Sequence, residues 1–177
     1  DPGLIRIMVD SGLYAMQIGI ESGSKKVLDA YQKNIAPGEI IEAVRICKES
    51  GLISLEGNYI VGGAFESEET IRESIAHAKK LIEVGRGMVN LNTVFFAPYA
   101  STPISNHPSA YDMKIEKYRN EHVITTMFEA VVSTKCLTST EIVSWKKVFD
   151  EEIRHAYVRE AAKFGKDELV IRWDLKN

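Results

Sequence analysis

Apolar and polar positions follow two rhythms along the first hundred residues. Short runs, Leu13 to Ile20, Leu52 to Val61 and Met88 to Phe96, alternate from one residue to the next. Between them, apolar residues return every three or four positions. The first rhythm is that of a strand, whose successive side chains point to opposite faces. The second is that of a helix buried along one stripe. Asp1 and Pro2 read as the cap and first residue of a short helix that Gly12 closes. Ser24 caps a helix to about Gln32. Pro37 opens another, with Ile40, Ile41, Val44 and Cys47 as its stripe and Gly51 at its end. Ser67 caps a third, with Glu68 and Glu69 in the first turn, where negative charge suits the helix dipole. Its stripe is Ile71, Ile75, Ala78 and Ile82. Three strands joined by helical crossovers pair in parallel with right-handed connections, which predicts the α/β class. Beyond Pro103 the pattern predicts a helix from about Met113 to Val132, a second from about Thr140 to Phe164, and a closing strand in ELVIRWDL.

The alternation divides each strand into an apolar and a polar face. Tyr14, Met16, Ile18 and Ile20 oppose Ala15, Gln17, Gly19 and Glu21. Ile53, Leu55, Tyr59 and Val61 oppose Ser54, Glu56, Asn58 and Ile60. Asn90 and Asn92 oppose Val89 and Leu91. A parallel sheet ordinarily buries both faces and reads as continuous apolar sequence. The polar second face has two readings: a barrel lumen that holds a polar ligand, or a sheet with helices on one side and solvent or a partner on the other.

Composition narrows the function classes. The chain is 177 residues long, 45% hydrophobic and 27% charged, with a formal net charge of −3. That length suffices for one sizeable core. No basic run predicts a nucleic-acid partner. No apolar stretch approaches the ~20 residues that span a bilayer. No signal peptide is visible, and the first residue is Asp rather than Met, as in a piece of a longer or a processed protein. Two distant cysteines, Cys47 and Cys136, predict a reducing cytoplasm rather than a disulfide framework. They are too few to ligate an iron–sulfur cluster. The scattered histidines 77, 107, 122 and 155 have no zinc-ligand spacing.

Three stretches carry candidate chemistry. IGIESGS places Glu21, followed by Ser22, at the carboxyl end of a strand, where α/β sheets and barrels bind ligands. A carboxylate there can accept two hydrogen bonds from a ribose diol. NYIVGGAFESEET ends the second strand in a glycine-rich turn, with Asn58, Ile60, Val61, Gly62 and Glu66. VNLNTVFFAPYASTPIS ends the third strand with Pro98 and Tyr99. Together these resemble the fourth, fifth and sixth strands of radical S-adenosylmethionine (SAM) enzymes. The second and third motifs depart from the family pattern at Ala64-Phe65 and Ala100-Ser101, and Asn58 stands where a glycine is common.

The resemblance implies a (βα) partial TIM-barrel fragment with three parallel strands in residues 1–104, then a helical extension in 105–177. It implies SAM as ligand, with Glu21 on the ribose, Ile60, Val61 and Gly62 on the adenine, Glu66 bracing the turn, and Pro98 and Tyr99 walling the pocket. Ser22 and Asn58 complete the expected cofactor-binding set. It also implies a [4Fe–4S] cluster in the full-length parent, whose ligands this chain lacks, and reductive cleavage of SAM to a 5′-deoxyadenosyl radical. The segment EAVVSTKCLTSTEIVSWKKVFDEEIRHAYVRE resembles the helical tail of cobalamin-dependent members, which brings in cobalamin. The chain would then be inert alone, and its partners would be the missing N-terminal barrel half and, through exposed strand edges, a second copy in a homodimer. The other reading is a stand-alone α/β ligand-binding or assembly module with no redox role.

Overall fold

In a computed structural model, which describes residues 1–116 and 128–165, the strand pattern forms a parallel sheet in the order β1-β2-β3. These strands are Ala15–Glu21, Ser54–Val61 and Val89–Phe95. Ala15 stands beside Ser54, and Leu55 beside Val89. α2 (Lys25–Ala30) and α3 (Pro37–Glu49) link β1 to β2, and α4 (Glu68–Gly85) links β2 to β3. α1 (Pro2–Asp10) precedes the sheet, and the Asp1 carboxylate caps it by accepting the Gly3 N–H at 2.8 Å. The α/β class with three parallel strands is as the sequence predicts.

The two faces separate as their chemistry dictates. Along β2, Leu55, Gly57, Tyr59 and Val61 are buried, while Ser54, Ile60 and Asn58 are half-buried and Glu56 is exposed. The apolar face receives α4, where Ile71, Ile75, Ala78 and Ile82 are all buried, and α3, where Ile40, Val44 and Cys47 are buried. On the other face Gln17, Gly19, Glu56 and Asn92 are exposed among the described residues. The Asn90 amide donates to Ser54 at 3.1 Å, so the polar face is stitched across strands.

A third helix completes the apolar side. α6 (Ser139–Ala161) starts at a reciprocal cap. Glu141 N–H donates to the Thr138 hydroxyl at 3.2 Å, and Thr138 N–H donates to the Glu141 carboxylate at 2.8 Å. The helix packs beside α4 and against β2 and β3, burying Ile142, Phe149, Ile153 and Ala156. The Leu91 N–H of β3 donates to the Tyr157 hydroxyl at 2.6 Å, and Thr93 bonds Asp150. α6 thus occupies one backbone donor, the Leu91 N–H, that an edge strand would otherwise offer to another chain.

The expected helix from Met113 to Val132 is corrected at both ends. Met113–Ile115 is a strand, β4, and Val132–Thr134 is another, β5; they pair antiparallel with Lys114 beside Ser133. Met113, Val131 and Val132 join the main core, so this antiparallel pair is packed on the sheet's helices rather than being a helix itself. The expected terminal strand ELVIRWDL lies outside the described residues.

Two buried polar clusters lock helices to the sheet. Tyr59 donates to His77 Nδ1 at 2.7 Å, and His77 Nε2 reaches the Pro37 carbonyl at 3.0 Å. A carbonyl only accepts, so Nε2 carries the hydrogen and Nδ1 is the acceptor. Burial holds the His77 pKa below its ordinary value. The second cluster ties the end of β1 to α4. The Ser22 and Ser74 hydroxyls lie 3.0 Å apart, and Gly23 N–H donates to Ser74 at 2.9 Å. Gly23 has no room for a side chain: a Cβ there would stand 2.8 Å from Ser74 Cα and 2.9 Å from the Glu73 carbonyl. Backbone cannot retreat as a flexible side chain can. Gly23→Ala is therefore expected to cost about 1–3 kcal/mol in urea unfolding; an unchanged midpoint would refute this close packing.

Candidate functional site

The carboxyl ends of the three strands open into a cleft of about 560 Å³. That is within the ~300–1,000 Å³ usual for small-ligand sites. Its floor is the polar face of the sheet, with Gln17, Gly19, Asn58 and Ile60. One wall carries Phe96, Ala97 and Tyr99, with Thr102 and Ile104 from the start of α5 (Pro103–Asn106); the opposite wall carries Glu21, Tyr31 and Lys33.

Local backbone chemistry aims the charged wall. The strand register breaks between Gly19 and Glu21, and Glu21 takes a left-handed φ of 65°. A bulge of this kind re-aims a side chain. The Glu21 carboxylate folds back over Gly19, where a Cβ would overlap its Oε1. Lys33 meets it at 3.0 Å and donates to the Gly19 carbonyl at 3.2 Å. Gln32 and Asn34 are also left-handed, with φ of 55° and 50°, and they turn Lys33 back toward the strand end. Non-glycine residues hold that region at a cost of order 1–3 kcal/mol each, and such strain gathers at functional sites.

The turn after β2 stands on a buried carboxyl. Glu66 accepts the N–H groups of Gly62 and Gly63, the latter at 3.2 Å. Burial pushes its pKa up to about 7, against the lowering effect of those two bonds. Gly62 has a φ of 88°, which a side chain would resist, and a Cβ would meet Ile142 at 2.9 Å.

Of the residues singled out in the sequence, Glu21, Asn58, Ile60 and Tyr99 line the cleft. Ser22, Val61 and Glu66 are buried beneath it and hold its rim. Gly62 forms the turn, and Pro98 sits half-buried between two lining residues. Lys33, Tyr31, Phe96, Thr102 and Ile104 were not singled out as binding residues. The one sequence signal for Lys33 is Asn34, a residue type that tolerates the left-handed region.

The chain is similar to a protein of Pyrococcus horikoshii described as an uncharacterized methyltransferase. They share 28% identity over 137 residues, which is 77% of this chain and 28% of that protein. The match thus spans well under half of the relative's length. No model of a known protein family matches the chain. These findings overturn the expected assignment to the radical SAM superfamily, because the similarity is to a methyltransferase. Reductive cleavage of SAM, a radical SAM oxidoreductase or transferase as parent, and inactivity of the chain alone fall with it. Nothing in the comparison supports a [4Fe–4S] cluster or cobalamin. Among the described residues, no group of three His, Cys, Asp or Glu side chains is placed to hold a metal ion, and no helix is long and apolar enough to cross a membrane.

Proposed function

We propose that this chain forms the SAM-binding part of a methyltransferase, with the ligand in the cleft at the carboxyl ends of β1, β2 and β3. The observation that carries this reading is the exposed flank of Glu21, a carboxylate re-aimed by a bulge onto a cleft with one polar floor and one apolar wall. The similarity to a protein described as a methyltransferase supports it. The residues present suit the ligand. Glu21 would accept hydrogen bonds from the ribose diol. Ile60 and Tyr99, with Pro98 beside them, would wall the adenine, while Val61 and Gly62 face the helices and shape the turn from behind. Asn58 would contribute a polar contact from the floor, while Ser22 and Glu66 hold the strand ends in place. SAM bound there supplies a methyl group on a sulfonium, for transfer to a nucleophilic acceptor.

We further read residues 1–104 as the ligand-binding unit and 105–177 as an extension that braces it. A partial barrel is our proposal for how the sheet continues; the stitched polar face supports it, since a lumen needs such a lining.

Isothermal titration of SAM and S-adenosylhomocysteine into the purified chain tests the assignment. Glu21→Ala is expected to raise both dissociation constants about tenfold, the loss expected for two hydrogen bonds of ordinary net worth. Equal affinity in the variant would remove Glu21 from the site. Absence of binding by the unsubstituted chain would overturn the assignment itself.

A further inference from the structure

One polar atom in the cleft region lacks what chemistry requires of it. The Tyr31 hydroxyl is sealed from water and is the one buried side-chain N or O atom without a hydrogen-bond partner among the described residues. Its ring lines the cleft and lies parallel to Phe96, with centroids 6.4 Å apart. The hydroxyl rests against Gly63, where a Cβ would overlap it. The Ala64 amide lies close enough to favour the phenolate slightly, yet no hydrogen bond of ordinary geometry forms there. An amide N–H could in any case fill only the acceptor side of the oxygen. The hydroxyl hydrogen would still have nowhere to go. Burial raises the phenol pKa far above neutrality, so that hydrogen stays on the oxygen.

A buried donor left unmade is costly, and native proteins keep few of them. One that borders a ligand cleft is explained by a group that arrives with the ligand. The neighbours say which kind of group. Phe96, Ala97 and Ile60 form an apolar surface suited to a flat ring, and the unfilled donor calls for an acceptor on that ring's edge.

We propose that Tyr31 sets the base specificity of the cleft, by donating its hydroxyl hydrogen to a ring nitrogen of the bound adenine. This rests on the SAM reading of the same site and adds a residue to it. The phenol ring already lines the cleft, so a small rotation about its side-chain bonds brings the hydroxyl to the base.

Tyr31→Phe makes opposite predictions for the free and the bound chain. Without ligand, the variant loses an unsatisfied donor and is expected to unfold about 2–4 °C higher. With ligand, it is expected to bind S-adenosylhomocysteine about tenfold more weakly. Competition by 1-deaza-, 3-deaza- and 7-deazaadenosine identifies the acceptor. One of the three should compete about tenfold less well than adenosine for the unsubstituted chain, and as well as adenosine for the Phe variant. Unchanged affinity of Tyr31→Phe, with S-adenosylhomocysteine still bound by the unsubstituted chain, would overturn this inference and leave the SAM reading standing. A lowered unfolding midpoint in the ligand-free variant would show the hydroxyl already satisfied within the protein and would also overturn it. Equal competition by all four nucleosides on the unsubstituted chain would do the same. If the unsubstituted chain binds no adenosyl compound, both the inference and the SAM reading fail.

Discussion

Phe149→Ala is expected to remove about 3–5 kcal/mol of folding stability, the range for truncating a fully buried Phe. The side chain is 1% exposed and its ring lies 5.1 Å from that of Tyr59, in the carboxyl half of β2. It is the largest fully buried residue on α6. Truncation leaves a cavity between α6 and the sheet that rigid neighbours cannot close. Tyr59 is held by His77, and His77 by Pro37, so the far wall of that cavity is fixed by hydrogen bonds. The loss matches a large part of the ~5–15 kcal/mol that a domain ordinarily has. Loosening α6 also frees the Tyr157 and Asp150 contacts to β3. Urea unfolding followed by circular dichroism measures the effect. A loss below about 1 kcal/mol would show that α6 is not docked on the sheet as described.

The strands and their facing were legible because period-two alternation is a local signal. Leu55, Tyr59 and Val61 against Glu56 and Asn58 can be read without knowing any partner. Helix starts were legible for the same reason: Asp1 and Ser67 each cap through contacts within three residues. The stretch from Met113 was misread because β4 and β5 are three residues each. So short a strand has no measurable period, and its stability comes from a partner some twenty residues away.

The site was legible in part for a related reason. Glu21 stood out by position, at the end of an apolar strand. Lys33 and Tyr31 did not, because their place in the cleft depends on a turn with two left-handed residues and on Gly63, far along the chain. The motifs lie at strand ends that border the cleft, while the family they suggest is overturned by the similarity to a protein described as a methyltransferase. Acidic residues and glycines at the ends of parallel strands follow from the geometry of ligand binding there, which unrelated chemistries share. Family membership needs more than those positions.

Glu66 should make folding stability fall as pH rises through the weakly acidic range. Its carboxyl is 2% exposed and its pKa in the fold is about 7, raised by burial from 4.5. In the unfolded chain it ionises near the ordinary value. Between the two pKa values the folded state therefore holds a proton that the unfolded state has lost. Stability must then decrease with rising pH across roughly pH 4.5–7 and level off above. The full change is on the order of 3 kcal/mol for a shift of this size. Buried His77 acts with the opposite sign, since its lowered pKa makes stability rise with pH below about 6.5. Comparing two proteins that both contain His77 cancels that contribution. Glu66→Gln keeps a carbonyl oxygen for the Gly62 and Gly63 N–H groups and cannot ionise. The difference in stability between the variant and the unsubstituted chain should swing toward the variant as pH goes from 4.5 to 7.5. Guanidinium unfolding at half-unit pH intervals would reveal it, and parallel pH profiles for the two proteins would show that Glu66 is not a protonated prop beneath the cleft.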